Sequence, residues 1–598
     1  MKNLQASLLL ILSATAGISG CSSHTTQTNT SPATTQAVDS QVVNPQFARF
    51  TEQFIEDLWR EMPVWAMWSG YHKYDHILVI PNEASRKQRL AFIVKQRAAL
   101  AQQPFEQLND GQKIDYHLIE NLLDTEQWLE LEEKGDQWNP SHYNIAGSFA
   151  KIINGNYDTL DNRLVTFLKR AEQVPQYYQA AKANITIPTI EHTELAILRN
   201  NGGLIVFDDE LLKKVADSGL SAAQKALFKQ RVAAAKAAIS DYVDFLEQRL
   251  VQLKADGNAR SFRLGETLYE QKFAISIQSQ YTAKQIYQKA LGDMQAVNQK
   301  MTVITHQLWP KYFADIAKPA KNSEATAQLI KHLSVNHVKR ENFIDEIRRQ
   351  IPTLEAFIKQ KDLVTLDPEK PLVVRETPLY MRGLAGASIS APGPYDNKAN
   401  TYYNVTPLDN MSEEQGESYL REYNQWVLQI LNIHEAIPGH YTQKMYANKS
   451  PSLLKTILSN GAMTEGWAVY SERMMLEEGY GDFEPELWLM YYKWNLRVIA
   501  NTVLDYGVHV DGMTKVQALD LLMNKAFQEK AEAQGKWRRV TLSQVQLTSY
   551  YSGYREIYDF REEMKAKAGN DFNLKAFHEA FLSYGNAPVK YIKQLMRK

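Results

Sequence analysis

The chain has 598 residues, 44% hydrophobic and 23% charged, so it has the length and apolar content for a large buried core. Its 67 Lys and Arg balance 68 Asp and Glu, and no excess of positive charge argues for a nucleic-acid partner. With Cys21 as the single cysteine, an intramolecular disulfide and a cysteine-based metal site are both excluded.

Residues 1–20 have the pattern of a signal peptide: Lys2, an apolar run from Leu8 to Leu12, then small residues. Ile18-Ser19-Gly20-Cys21 resembles the lipobox of bacterial lipoproteins, which implies lipidation at Cys21 and a membrane anchor. A leftover buried thiol is the competing reading. Ser22 resembles the sorting pattern for the outer membrane, and no later stretch is apolar enough to span a bilayer. Residues 21–45, rich in Ser, Thr, Gln and Asn, are expected to be a flexible tether. The expected location is the periplasmic side of the envelope.

From Phe47 onward helical periodicity dominates. Phe228, Val232, Ala235, Ile239, Val243, Leu246, Leu250 and Leu253 recur at steps of three and four, and Gly257 follows as a stop. Similar patterns predict helices near 84–103, 283–308, 323–350 and 412–433, with Pro175 and Pro188 at kinks or helix ends. Strand character appears at Leu372-Val373-Val374-Arg375 and Tyr402-Tyr403-Asn404-Val405; the Gly- and Pro-rich stretch 383–394 between them reads as loop. The expectation is a mainly α protein of several lobes. Residues 46–370 would form one or more helical lobes, and 371–598 a mainly helical catalytic lobe with a small sheet. That sheet either holds an extended peptide by an edge strand or merely caps the helical core.

The chemistry concentrates in His434-Glu435-Ala436-Ile437-Pro438-Gly439-His440 and in Thr464-Glu465-Gly466-Trp467-Ala468-Val469-Tyr470-Ser471-Glu472. Zinc peptidases commonly space two histidines four apart, because those positions share one helical face. Six residues turn an ideal helix so that the second ring points about 120° away from the first. Ser412-x-x-Gln415 resembles a capping box opening a helix whose stripe Leu420, Tyr423, Val427 and Ile430 leads to His434. Pro438 lacks an N–H and Gly439 is permissive, so a helical bulge is expected to bring His440 back beside His434. Two structural histidines without a metal are the alternative.

Glu465, on a helix capped by Thr464, is the expected third ligand, giving a two-histidine, one-glutamate zinc site with an open position. Glu435 is the expected proton acceptor. Glu472, two turns on, either orients a ligand histidine or is an ordinary paired carboxylate. His509 and Tyr551 are candidates for stabilising a tetrahedral oxyanion, against packing and hydrogen-bonding roles. Arg497 is a candidate for holding a substrate carboxylate, against a structural salt bridge. Phe577-His578-Glu579 has no second histidine and is set aside.

The two motifs resemble those of a bacterial family, many of its members lipoproteins, known as domain of unknown function 885. Weaker matches lie at Asp505-x-Gly507-x-His509, Tyr551-x-Gly553, Gly585-Asn586-Ala587-Pro588 and Pro63-Val64-Trp65-Ala66-Met67-Trp68-Ser69-Gly70. That family in turn looks like a distant relative of the helical gluzincin peptidases, which enclose a deep cleft. The resemblance implies His434, His440 and Glu465 as zinc ligands and Glu435 as base. The expected function is a zinc-dependent peptidase acting on short peptides admitted by such a cleft. A metal-dependent amidase on a non-peptide or peptidoglycan-derived amide is the second reading, and an inactive helical binding protein of the envelope the third.

Overall fold

The long periodic stretch forms a single helix, Ala222–Asp256. Ser221 and Gln224 close a capping box at its start, and Gly257 ends it with φ 66°, in the left-handed region that glycine enters at little cost. The computed structural model describes residues 42–367, 371–377, 386–391, 393–395, 400–409 and 411–597. The stretch expected to be a signal peptide, Cys21 and most of the expected tether lie outside these residues. Helix begins at once after them, in Pro45–Glu61, capped by the Asn44 side chain. Among the described residues no helix is long and apolar enough to cross a membrane.

The fold is mainly α, as the periodicity predicts. Helices Glu83–Ala101 and Ala283–Tyr312 correspond to two expected segments. Two others are divided. The 323–350 pattern becomes Asn322–Ser334 and Phe343–Lys361, and the 412–433 pattern becomes Glu413–Glu422 and Gln425–Glu435. The second division has a local cause. Ser412 and Gln415 do form a capping box, but Asn424 accepts from the backbone N–H groups of Trp426 and Val427 and starts a new helix. Pro175 sits in the first turn of Val174–Asn184 and Pro188 just before Ile190–Gly203, both where a missing N–H costs little.

The sheet has three strands, in the order β1 (Val373–Glu376), β3 (Tyr402–Val405), β2 (Ala387–Ser390). β1 runs parallel and β2 antiparallel to β3. β2 falls inside the stretch expected to be loop; its two serines and flanking Gly386 hid a strand that exists by pairing, with Ile389 opposite Tyr403. Tyr403 is fully buried and donates to Oδ1 of Asn432 at 2.9 Å, while Asn432 donates to Gln350 at 2.7 Å. The middle strand is thereby docked on the helix that carries His434, two residues away.

One continuous apolar core runs from Phe47 to Ile592 and takes in the site helices. A second cluster, from Met67 to Leu246, centres on Phe149, Phe167, Phe207 and Phe228, whose rings lie 4.7–5.7 Å apart. Within the first core, helices Asp110–Trp128 and Leu453–Ile457 also meet through a buried ion pair, Lys455 with Asp115 at 2.9 Å.

Candidate metal centre

His434 lies in the last turn of helix Gln425–Glu435, and His440 is the first residue of helix His440–Asn448. The expected bulge within one helix is therefore a full break between two. Ala436 leaves helical geometry at φ −107°, ψ −92°, the Ile437–Pro438 bond is cis, and Gly439 N–H returns to the Ile433 carbonyl at 3.0 Å. A Cβ on Gly439 would fall inside the carbonyl oxygens of His434 and Ile433, so only glycine fits this turn. Trp467 Nε1 donates to the Pro438 carbonyl at 2.8 Å and ties the break to the neighbouring helix. The rings of His434 and His440 end 4.8 Å apart, nearly perpendicular at 86°.

That neighbouring helix, Gly461–Glu477, delivers Glu465. Its cap is Asn460, which accepts from Met463 N–H, and not Thr464; the threonine is already helical and its hydroxyl donates to the Asn460 carbonyl. Glu465 Oε2 lies 3.4 Å from His440 Nε2 and 3.8 Å from His434 Nε2. One ligand atom from each of the three residues lies within 4.8 Å of the others. A tetrahedral zinc with bonds of roughly 2.0–2.2 Å needs neighbouring donors about 3.4 Å apart, so the donor set fits such an ion.

The imidazole orientation suits metal binding as well. Glu472, with no solvent exposure, accepts from His434 Nδ1 at 2.6 Å and from Trp494 Nε1 at 3.0 Å. With Nδ1 engaged by Glu472, Nε2 is the nitrogen that His434 turns toward Glu465, at 3.8 Å, and the one a metal would take. Glu472 stands against the His434 ring and is not paired with a Lys or Arg. Burial draws the His434 pKa down, but hydrogen bonding to Glu465 and Glu472 outweighs it and pushes the ring up to about 10. Burial raises the Glu465 carboxyl, and the two imidazoles overcome this and hold it well below the usual range. Mutual stabilisation of opposite charges marks a donor set compressed around one point. Glu435 is half-buried beside both histidines; burial raises its pKa, the two rings opposing.

Three other expected participants stand elsewhere. His509 ends helix Pro485–His509, fifteen residues beyond Trp494, which on a continuous helix is about 22 Å. Its Nε2 donates to the carbonyls of Val540 and Ser543 at 2.9 and 3.0 Å, while Asp505 accepts from the N–H groups of Val545 and Leu547. This pair anchors the turn that leads into helix Ser549–Ala568. Tyr551 is buried and donates to Asp293 at 2.8 Å, away from the histidines. Arg497 is committed to Glu532 at 2.7 Å and packs over Trp494. His578, set aside from the sequence, is a buried core residue bonded to Tyr470 and the Leu363 carbonyl.

Two further residues lie at the centre: Tyr550, passed over in the sequence for its neighbour Tyr551, and Lys444, which the sequence did not single out. Tyr550 lies 6.5 Å from His434, ring to ring, nearly parallel at 19°, and its hydroxyl accepts from Arg539 at 3.2 Å. Burial and the Glu465 charge raise its pKa and keep it protonated. The signal lay in glycine: Gly553 and Gly466 meet where their helices cross, and a Cβ on either would strike the other's backbone. Tyr550, three residues before Gly553, shares that crossing face, and Tyr551 is rotated off it. Lys444, one turn after His440, is half-buried within electrostatic reach of Glu465 and Glu435. A cavity of about 500 Å³ lined by Phe47, Trp59, Tyr71 and Tyr395 contains none of these residues.

The family profile described as "Bacterial protein of unknown function (DUF885)" matches residues 63–596. A solved structure of a candidate lipoprotein of unknown function from Shewanella oneidensis is 62% identical, with a TM-score of 0.86, covering 92% of this chain and 100% of that one. A candidate lipoprotein from Colwellia psychrerythraea shares the fold at 19% identity and a TM-score of 0.74, covering 92% of this chain and 98% of that one. No curated protein matches the sequence.

Proposed function

Because the chain belongs to the DUF885 family of bacterial proteins of unknown function, we propose its activity from its own site: a zinc-dependent peptidase that hydrolyses short peptides at the cell envelope. The observation that carries this is the convergence of His434, His440 and Glu465, with Glu435 adjoining and His434 oriented by Glu472. The donor set is that of the gluzincin peptidases, reached here through two helices in place of one. Zinc held by these three residues would supply Lewis acidity, acidifying a water and polarising a carbonyl.

The chain's own residues do the rest. Glu435 takes a proton from the attacking water as its oxygen bonds to the carbonyl carbon, then gives that proton to the amide nitrogen as the C–N bond breaks. Tyr550 keeps its own proton free, because Arg539 donates to its oxygen, and it donates to the oxyanion of the tetrahedral species. It takes the role first considered for His509 and Tyr551. Lipid anchoring at Cys21 belongs to the same proposal, supported by the lipobox-like sequence and by the candidate-lipoprotein description of the 62% identical relative, and an outer-membrane address is proposed from Ser22 alone.

The test is metal analysis paired with a peptide-library digest. Wild type is expected to carry one zinc per chain and to lose cleavage on chelation. Glu435→Gln is expected to keep the zinc and lose at least about 100-fold in kcat, since it removes a base and not a ligand. A protein that binds no stoichiometric metal, or a variant as active as wild type, overturns the reading.

A further inference from the structure

Lys444 is the cation nearest in sequence to the metal ligands, and its position is unusual. It follows His440 by four residues on the same helix, so the two side chains share a face, with Cβ atoms roughly 5–6 Å apart. It is half-buried, and the acidic groups that act on it are Glu465 and Glu435. Among the described residues no carboxylate lies within ion-pairing distance of its ammonium. Contrast Lys455 and Lys493, both buried, which hold Asp115 at 2.9 Å and Glu422 at 2.6 Å. Lys593, also buried, meets only the amide oxygen of Gln280 at 3.3 Å, so pairing with a carboxylate is common but not universal here; the Lys444 ammonium, with no carboxylate beside it, keeps its charge by contact with solvent or with an incoming anion. A half-buried lysine left unpaired beside a candidate active site is placed to meet an anion that arrives with the substrate.

We propose that Lys444 holds the C-terminal carboxylate of a short peptide whose scissile carbonyl lies at the metal centre. This rests on the hydrolase reading and adds the end of the peptide from which the enzyme works. One residue of extended chain spans roughly 3.3–3.6 Å, so a carboxylate at Lys444 lies one or two residues from the bond to be cut. The products are a shortened peptide and an amino acid or dipeptide.

The experiment measures binding, so that it does not depend on turnover. Zinc-loaded Glu435→Gln protein is titrated calorimetrically with N-acetylated alanine tripeptides as free acids and as C-terminal amides. A third probe is an amidated tripeptide carrying one glutamate. The free acid is expected to bind about 10- to 100-fold more tightly than its amide, the span of a charge-assisted hydrogen bond. Adding Lys444→Gln should remove that difference, Lys444→Arg should retain most of it, and zinc content should not change. Equal binding of acid and amide, or no binding of either, overturns the proposal. So does equal weakening of both by Lys444→Gln, or loss of zinc, which would make Lys444 a counter-charge to Glu435 and Glu465. Tight binding of only the glutamate peptide would assign Lys444 to an acidic side chain and reject the terminal carboxylate. Failure of the hydrolase reading is seen separately, as absence of cleavage by zinc-loaded wild type.

Discussion

Nδ1 of His434 and Oε1 of Glu472 are 2.6 Å apart in a place that water does not reach. The carboxylate fixes which imidazole nitrogen carries the proton, and Trp494 holds the same oxygen from the other side at 3.0 Å. The tautomer of a candidate metal ligand is thus decided by residues that never touch the metal.

Glu472→Gln should therefore lower zinc affinity about 10- to 100-fold with the fold intact, because Nδ1 loses its anionic acceptor while the cavity keeps its shape. Trp494→Phe should weaken it less. Competition with a chelator of known zinc affinity checks both, and unchanged affinity in Glu472→Gln would reject the orienting role.

Tyr550 and Tyr551 are adjacent in sequence and face different partners, so they make a controlled pair. Tyr550→Phe should cost about 100- to 1000-fold in kcat with little change in stability, the range for one lost oxyanion donor. Tyr551→Phe should leave kcat unchanged and lower stability by about 1 kcal/mol, through loss of its bond to Asp293. Steady-state kinetics and denaturant melts on both variants decide it, and the reverse pattern would restore Tyr551 as the catalytic tyrosine.

Stability should fall on the acid side through His578. Burial draws its pKa from 6.5 down to about 4, with the Arg561 charge adding to the effect, and Nδ1 donates to the Leu363 carbonyl while Nε2 accepts from Tyr470. The folded ring stays neutral where the unfolded one takes a proton. Its full contribution is present above pH 6.5 and is lost as pH falls from 6.5 to 4, at about 1.4 kcal/mol per pH unit and on the order of 3 kcal/mol in all. Urea titrations across that range should show a slope reduced by about one proton in His578→Gln; an identical slope would mean that His578 is not the residue responsible.

Local pattern carried the reading far where the physics was local. The Ala222–Asp256 helix, its capping box and its glycine stop are all written in neighbouring residues, and so is the pairing of Glu465 with Glu472 at two helical turns. Where tertiary contacts decided, the reading faltered. Asn424 looked like one polar residue in a continuing stripe, yet its side chain starts a new helix. β2 has no strand composition and owes its existence to β3. The choice between Tyr550 and Tyr551 depends on a glycine crossing between segments some 90 residues apart in sequence, and periodicity within one segment cannot report that. His509 misled because a histidine in a polar motif looks alike whether it serves chemistry or, as here, holds a turn by its carbonyls.

The break between Glu435 and His440 changes how such a site is able to vary. When two ligands ride on one helix, its pitch dictates the angle between their rings, and neither can be adjusted alone. Here each histidine has its own helix, joined by a turn that only glycine fits and that Trp467 clamps to the helix of the third ligand. Tilting the His440–Asn448 helix would re-aim one ring and carry Lys444 with it while His434 stayed fixed. On the proposed reading, the joint would let the angle at a bound metal and the position of Lys444 be tuned together, by substitutions on the outer side of a nine-residue helix.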